Sequence, residues 1–150
     1  MKQLNTATIK VFSYGNKNEE DIKKGLASFI PLDLEKEKIN IEKTTAKGDE
    51  GEEDINILQI MLIKEKHTNA FLKTIKEKLE QKDKDTIKKQ AESRLDEELN
   101  FFIRLDKNKI MNEQKYELTE SGDCYHIRMN IAAFPKKKEK ALEIIKEIFK

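Results

Sequence analysis

Between Thr6 and Tyr14 the chain alternates, with Ala7, Ile9 and Val11 set against Thr8, Lys10 and Phe12, which is the period of a strand with one buried face. Gly15-Asn16 closes that segment. Asn18 followed by Glu19, Glu20 and Asp21 predicts a helix start, where acids complement the positive end of the helix dipole. Ile22, Leu26, Phe29 and Ile30 then share one helical face, and Pro31 stops the helix. Residues 34–45 are mostly polar, with Ile39 and Ile41 on one side, which predicts a half-wet strand suited to a sheet edge. Ile55 to Ile63 is apolar on both faces and predicts a central strand.

Phe71, Leu72, Ile75 and Leu79 recur at helical spacing. A polar break at Gln81-Lys82-Asp83 separates them from a thinner amphipathic stripe of Ile87, Ala91 and Leu95. Leu99 to Leu105 and Lys115 to Thr119 read as strands, and the turn Ser121-Gly122-Asp123 leads into a longer one, Cys124 to Ala133. Tyr125, Ile127, Met129 and Ile131 form the buried face of that strand, leaving Cys124, His126, Arg128 and Asn130 on the polar side. Pro135 is placed as a first helical residue, with Leu142, Ile145, Ile148 and Phe149 as the buried stripe of the closing helix. The predicted order is β-α-β-β-α-α-β-β-β-α. Strands joined by short turns pair antiparallel, so the expected class is α+β: one domain over residues 1–150, mainly an antiparallel sheet with helices on one face.

The chain's 150 residues are enough for a real core, and 37% hydrophobic against 39% charged residues describes a folded chain with a heavily charged surface. The longest apolar run, Ile60-Met61-Leu62-Ile63, is strand-sized, so no membrane span is expected, nor is a signal peptide behind Lys2. Cys124 stands alone, which excludes an internal disulfide and points to a reducing, cytoplasmic compartment. Net charge is only +1, and affinity for a polyanion would have to come from local clusters. Residues 48–54 carry five acids and no base. Arg94, Arg104 and Arg128 are the three arginines among 30 basic residues, and so carry more weight than any one lysine.

The catalytic inventory is short. His67 lies at a helix junction and reads as a polar surface or cap residue. Cys124 and His126 sit on one strand face about 7 Å apart, with no acid placed to orient the imidazole. One Cys and two separated His make no zinc set, and the acidic loop lacks calcium-loop spacing. No glycine-rich phosphate cradle is present. A non-enzymatic protein without cofactor or metal is expected.

Lys136, Lys137, Lys138 and Lys140 gather at the start of the last helix, against the dipole, each at a cost of about 0.3–1 kcal/mol. Free backbone N–H groups and clustered ammonium groups suit a phosphate backbone. Arg104, Lys107 and Lys109, with Arg128 on a neighbouring candidate strand, form a second group; if those strands pair, Arg104 and Arg128 share one sheet face, the alternative being cross-strand salt bridges with Asp106 or Glu117.

The chain resembles the archaeal family described as predicted exosome-associated RNA-binding proteins with a double-stranded-RNA-binding-like fold. The resemblance rests on Ile9-Lys10-Val11-Phe12, Leu105-Asp106-Lys107, Leu118-Thr119 before Gly122-Asp123, His126-Ile127-Arg128 and Ala133-Phe134-Pro135-Lys136-Lys137. It implies a fold similar to that of the ribosomal large-subunit protein that binds 5S rRNA, an archaeal source, RNA as ligand and no catalysis. After Lys107 the chain departs from the family pattern, reading Asn108 to Gln114 where the family usually continues Gln-Ala-Ala and reaches a glycine. The expected protein is an RNA-binding accessory of archaeal RNA processing or degradation, with RNA and exosome or ribosomal components as partners. It would contact phosphates through Arg104, Lys107, Arg128, Lys136, Lys137, Lys138 and Lys140. The alternative is a protein-interaction module or homodimer, suggested by Phe101-Phe102, whose adjacent rings must face opposite ways in a strand.

Overall fold

The alternation at the start of the chain becomes strand β1 (Leu4–Tyr14), and the fold is assembled around it. In the computed structural model, which describes residues 2–15 and 18–150, β1 is the middle strand of a five-stranded antiparallel sheet. It is followed by α1 (Glu19–Ala27), β2 (Glu42–Ala46), β3 (Ile55–Leu62), α2 (Glu65–Lys78), α3 (Gln81–Lys89), β4 (Asn100–Asp106), α4 (Lys107–Glu113), β5 (Cys124–Ile131) and α5 (Lys138–Ile148). The strands lie in the order β2-β3-β1-β5-β4, each antiparallel to its neighbours. The α+β class follows, with β2 on the sheet edge as expected, but shorter than residues 34–45: Ile39 and Ile41 precede the strand in non-strand backbone, and all five residues of β2 are exposed.

Alternation decides which face is covered. Ala7, Ile9, Val11, Leu58, Ile60, Leu62, Phe101, Ile103, Leu105, Tyr125, Ile127 and Met129 are all buried on one side of the sheet. Against them pack Ile22 and Leu26 of α1, Phe71 and Ile75 of α2, and Ala141, Ile145 and Ile148 of α5. Each such side chain contributes about 1.5–3 kcal/mol by leaving water. The Phe29 ring lies 4.7 Å from Tyr116 and 5.6 Å from Tyr125, centroid to centroid. Tyr125 in turn donates its hydroxyl to the Ile22 carbonyl at 2.8 Å. Gly25 makes that approach feasible, since a Cβ there would collide with the Tyr125 hydroxyl. Among the described residues no helix lies on the other sheet face.

Other local expectations change as well. Residues 115–119 run extended, bridged through Tyr116 to Leu79 and Leu118 to Leu105, but do not join the sheet as a strand. Before them lies α4, whose N-cap Asp106 accepts a hydrogen bond from Lys109 N at 2.9 Å and whose C-cap Gln114 takes the left-handed φ of 56°. Gln81-Lys82-Asp83 is the first turn of α3 rather than the break; the bend falls at Leu79-Glu80, both in extended conformation. Pro135 precedes its helix: Lys137 N bonds the Pro135 carbonyl in a tight turn, and α5 begins at Lys138. Finally, β3 is an inner strand, but only one of its apolar faces is covered, and Met61 remains 50% exposed. The expected strand stop at Gly15-Asn16 falls partly outside the described residues, at Asn16.

Candidate nucleic-acid interface

Strand register lines up the side chains of the uncovered face in rows. One row runs Glu42, Gln59, Lys10, His126, Arg104 across all five strands. The next runs Met61, Thr8, Arg128, Phe102. Directly opposed side chains in such rows sit about 4.5–5.5 Å apart at Cβ, so Lys10 and Arg104 flank His126 in one contiguous strip, with Arg128 diagonal to it. On β3, β1 and β5 this face carries no acid. Among the described residues no carboxylate lies within ion-pairing distance of Lys10, Arg104 or Arg128. Arg104 spends one guanidinium N–H on the Glu120 carbonyl at 3.3 Å, leaving the rest of its donors to solvent.

His126 reports the local potential. Partial burial holds its pKa below the ordinary histidine value, and the charges of Arg104, Lys10 and Arg128 push it lower still. Its ring lies 5.8 Å from that of Phe102, tilted by 40°. Thr8, Lys10, Gln59, Phe102, His126 and Arg128 together line a shallow cleft. A planar ring flanked by unpaired cations is an arrangement that suits stacking and phosphate contact on one surface.

Of the residues singled out from sequence, Arg104 and Arg128 do share this face, because β4 and β5 pair as required. Lys107 does not join them. Its ammonium is buried, donating to the Phe12 carbonyl at 2.7 Å and pairing with Asp123 at 3.3 Å, so it ties α4 to β1. Lys136 and Lys137 are exposed just before α5. Lys138 pairs with Glu97 at 2.9 Å and Lys140 with Glu143 at 3.4 Å. The α5 start lies near the loop before β4, where Asn130 on the open face also donates to Glu98 O at 3.2 Å. Phe101 is buried against Phe149, and Phe102 is half-buried on the open face, as adjacency in a strand demands.

The remaining chemistry is quiet. Cys124 is buried, which pushes its thiol pKa up despite the nearby Arg104 and Lys107, the direction opposite to that of an activated nucleophile. His67 departs from the surface residue expected: it is buried at the start of α2 and holds Glu37 Oε1 at 3.0 Å. Among the described residues no group of three or more His, Cys, Asp or Glu could hold a metal ion. Lys10, Gln59 and Thr8 were not singled out from sequence. Their period-2 positions are visible there, but only the pairing of β3, β1 and β5 brings them beside Arg128.

A protein-family model described as RNA binding matches residues 6–132. An RNA-binding protein of Pyrococcus abyssi is 25% identical over 146 residues, covering 97% of this chain and 93% of its own length. The structure of a DUF54 protein of Methanothermobacter thermautotrophicus superposes with a TM-score of 0.77 at 27% identity over 99% of each chain. A Sulfolobus solfataricus protein assigned to DUF54 gives 0.77 at 25% identity over 97% of each. No helix among the described residues is long and apolar enough to cross a membrane.

Proposed function

Because this chain belongs to the RNA-binding family, we propose that it binds RNA without catalysing a reaction on it, and that its open sheet face is the surface that does so. The observation carrying this reading is the set of cations without a close ion pair, Lys10, Arg104 and Arg128, on a face free of acids across its three middle strands, with Asp96 before β4 the carboxylate that feels Arg128. Lys136 and Lys137 extend the contact at the α5 start. Lys138 and Lys140 can join them, since exposed ion pairs hold by only about 0–1 kcal/mol and phosphates can replace their carboxylates. Contacts of this kind grip backbone, not sequence, and their affinity comes from counterion release. Lys107 is left out, its ammonium being spent inside the protein.

Within the same reading the chain is a cytoplasmic accessory of archaeal RNA processing or degradation, working beside exosome or ribosomal components. The residue resemblance supports the setting, the lone Cys124 a reducing compartment. Phe134, 91% exposed beside an apolar groove with Ala132 and Ile144, offers a separate contact for a protein partner or a second copy. Filter binding of a structured RNA across a salt series tests the RNA contacts. Arg104→Glu/Arg128→Glu and Lys136→Glu/Lys137→Glu are each expected to weaken binding and to lower the log–log salt slope by about 1–2. Unchanged affinity and slope in the first pair would remove the sheet face as the site.

A further inference from the structure

Electrostatics alone leaves three features of the open face unused. The Phe102 ring lies half-buried on this helix-free face, with His126 tilted beside it at 5.8 Å. The Gln59 amide makes no side-chain hydrogen bond within the protein among the described residues, and neither does the Thr8 hydroxyl. Both line the same cleft as Phe102 and His126, with Lys10 and Arg128 at its walls. Phosphates ask for none of this: they need cations and N–H donors. An aromatic platform, an unspent amide and flanking cations are together what an unpaired nucleobase needs, namely a π-face to stack on, a donor and acceptor for its polar edge, and charge for the phosphates on either side.

Resting on the RNA-binding reading above, we propose that the Phe102–His126 cleft seats an unpaired base, so that the protein prefers single-stranded RNA to a duplex. In a duplex the bases are stacked on one another and present no face to Phe102, while the sugar–phosphate surface still reaches Lys10, Arg104 and Arg128. The base would lie on Phe102, between the rows that hold Arg128 and Lys10, with Gln59 reaching its edge from β3. A shallow cleft accepts such a ring lying on the sheet rather than enclosing it, which fits a contact tolerant of base identity.

The test measures anisotropy of a labelled oligouridylate and of a labelled RNA duplex of equal length. Wild-type protein should bind the oligouridylate more tightly. Phe102→Leu keeps the apolar bulk and removes the π-face, so it should weaken oligouridylate binding about 10-fold, leave duplex binding within about 2-fold, and keep the salt slope. Phe102→Tyr should restore the difference. A second measurement needs no variant: an oligouridylate carrying one 2-aminopurine should show that base's fluorescence quenched when wild-type protein binds. Tighter binding of the duplex, equal losses on both RNAs, or an unquenched 2-aminopurine at saturation would overturn the base site while leaving RNA binding in place. A wild-type protein that binds neither RNA would overturn both readings.

Discussion

Gly25 has no side chain because α1 lies against Tyr125, whose hydroxyl reaches the Ile22 carbonyl one turn earlier. Even a methyl there would collide with the phenol ring and meet Ile110 Cγ2 at 3.2 Å. Gly25→Ala is therefore expected to destabilise the fold by about 1–3 kcal/mol, although alanine is the better helix former, as denaturant unfolding would measure. At the same scale, Lys107 illustrates how a residue's number says little about its use. Its neighbours in sequence suggested a surface cation, but the Phe12 carbonyl and the Asp123 carboxylate hold it inside. His67 made the opposite journey to Phe102. One polar residue went inside to meet Glu37, and one aromatic stayed half outside to meet His126.

Among the elements, α4 is where sequence reading failed most clearly. Its seven residues, Lys107–Glu113, carry too short an apolar stripe to mark a helix, with only Ile110 buried among the apolar ones. What makes it a helix is the cap: Asp106 accepts the Lys109 N–H, and Gln114 closes the other end in the left-handed region. Glycine adopts that conformation without a Cβ penalty. Gln114 is exposed and its side chain makes no hydrogen bond among the described residues, so Gln114→Gly should stabilise the protein by about 1 kcal/mol, read as a raised Tm. The segment after α4 was legible as extended backbone but not as outside the sheet. Thr119 N and Asp106 N bond across β4's outer edge, while Asp83 takes the Leu118 N–H from α3, so local polar partners replace a ladder.

For the molecule as a whole, the charge pattern sets its response to acid. Hydrogen bonds and charge from Lys43 hold Glu19 below the usual carboxylate range, and His67 with Lys66 does the same for Glu37. A carboxyl with a lowered folded pKa adds stability above its unfolded value, and loses it as pH falls through the folded one. His126 acts in the same direction from a higher starting point. Burial and three cations lower its folded pKa, so the unfolded chain takes up a proton first, and stability declines as pH drops below about 6.5. Chemical unfolding across pH should thus show stability falling in two stages, the first near the histidine range and absent in His126→Phe, the second below about 4.5 and reduced in Glu37→Gln. A single acid transition unaffected by either change would contradict these assignments.

Periodicity by itself determined the class, the strands β1, β3, β4 and β5, the helices that cover them and the buried face of β1 and β5, because burial of one face is written into an alternating segment's own period; β3, apolar on both faces, did not declare which side is covered. It also placed Arg128 on a polar strand face and Phe102 opposite Phe101, while Arg104 would share Arg128's face only if the two strands paired. What it could not determine was which strand lies beside which. Pairing is a contact between residues far apart in the chain, decided by how the apolar faces of all the elements fit one core. Only that tertiary choice put Lys10 and Gln59 of β1 and β3 in one row with His126 and Arg104, left the face without a helix, and drew Lys107 out of the surface. The basic residues were legible one by one; the surface they share exists only in the folded sheet.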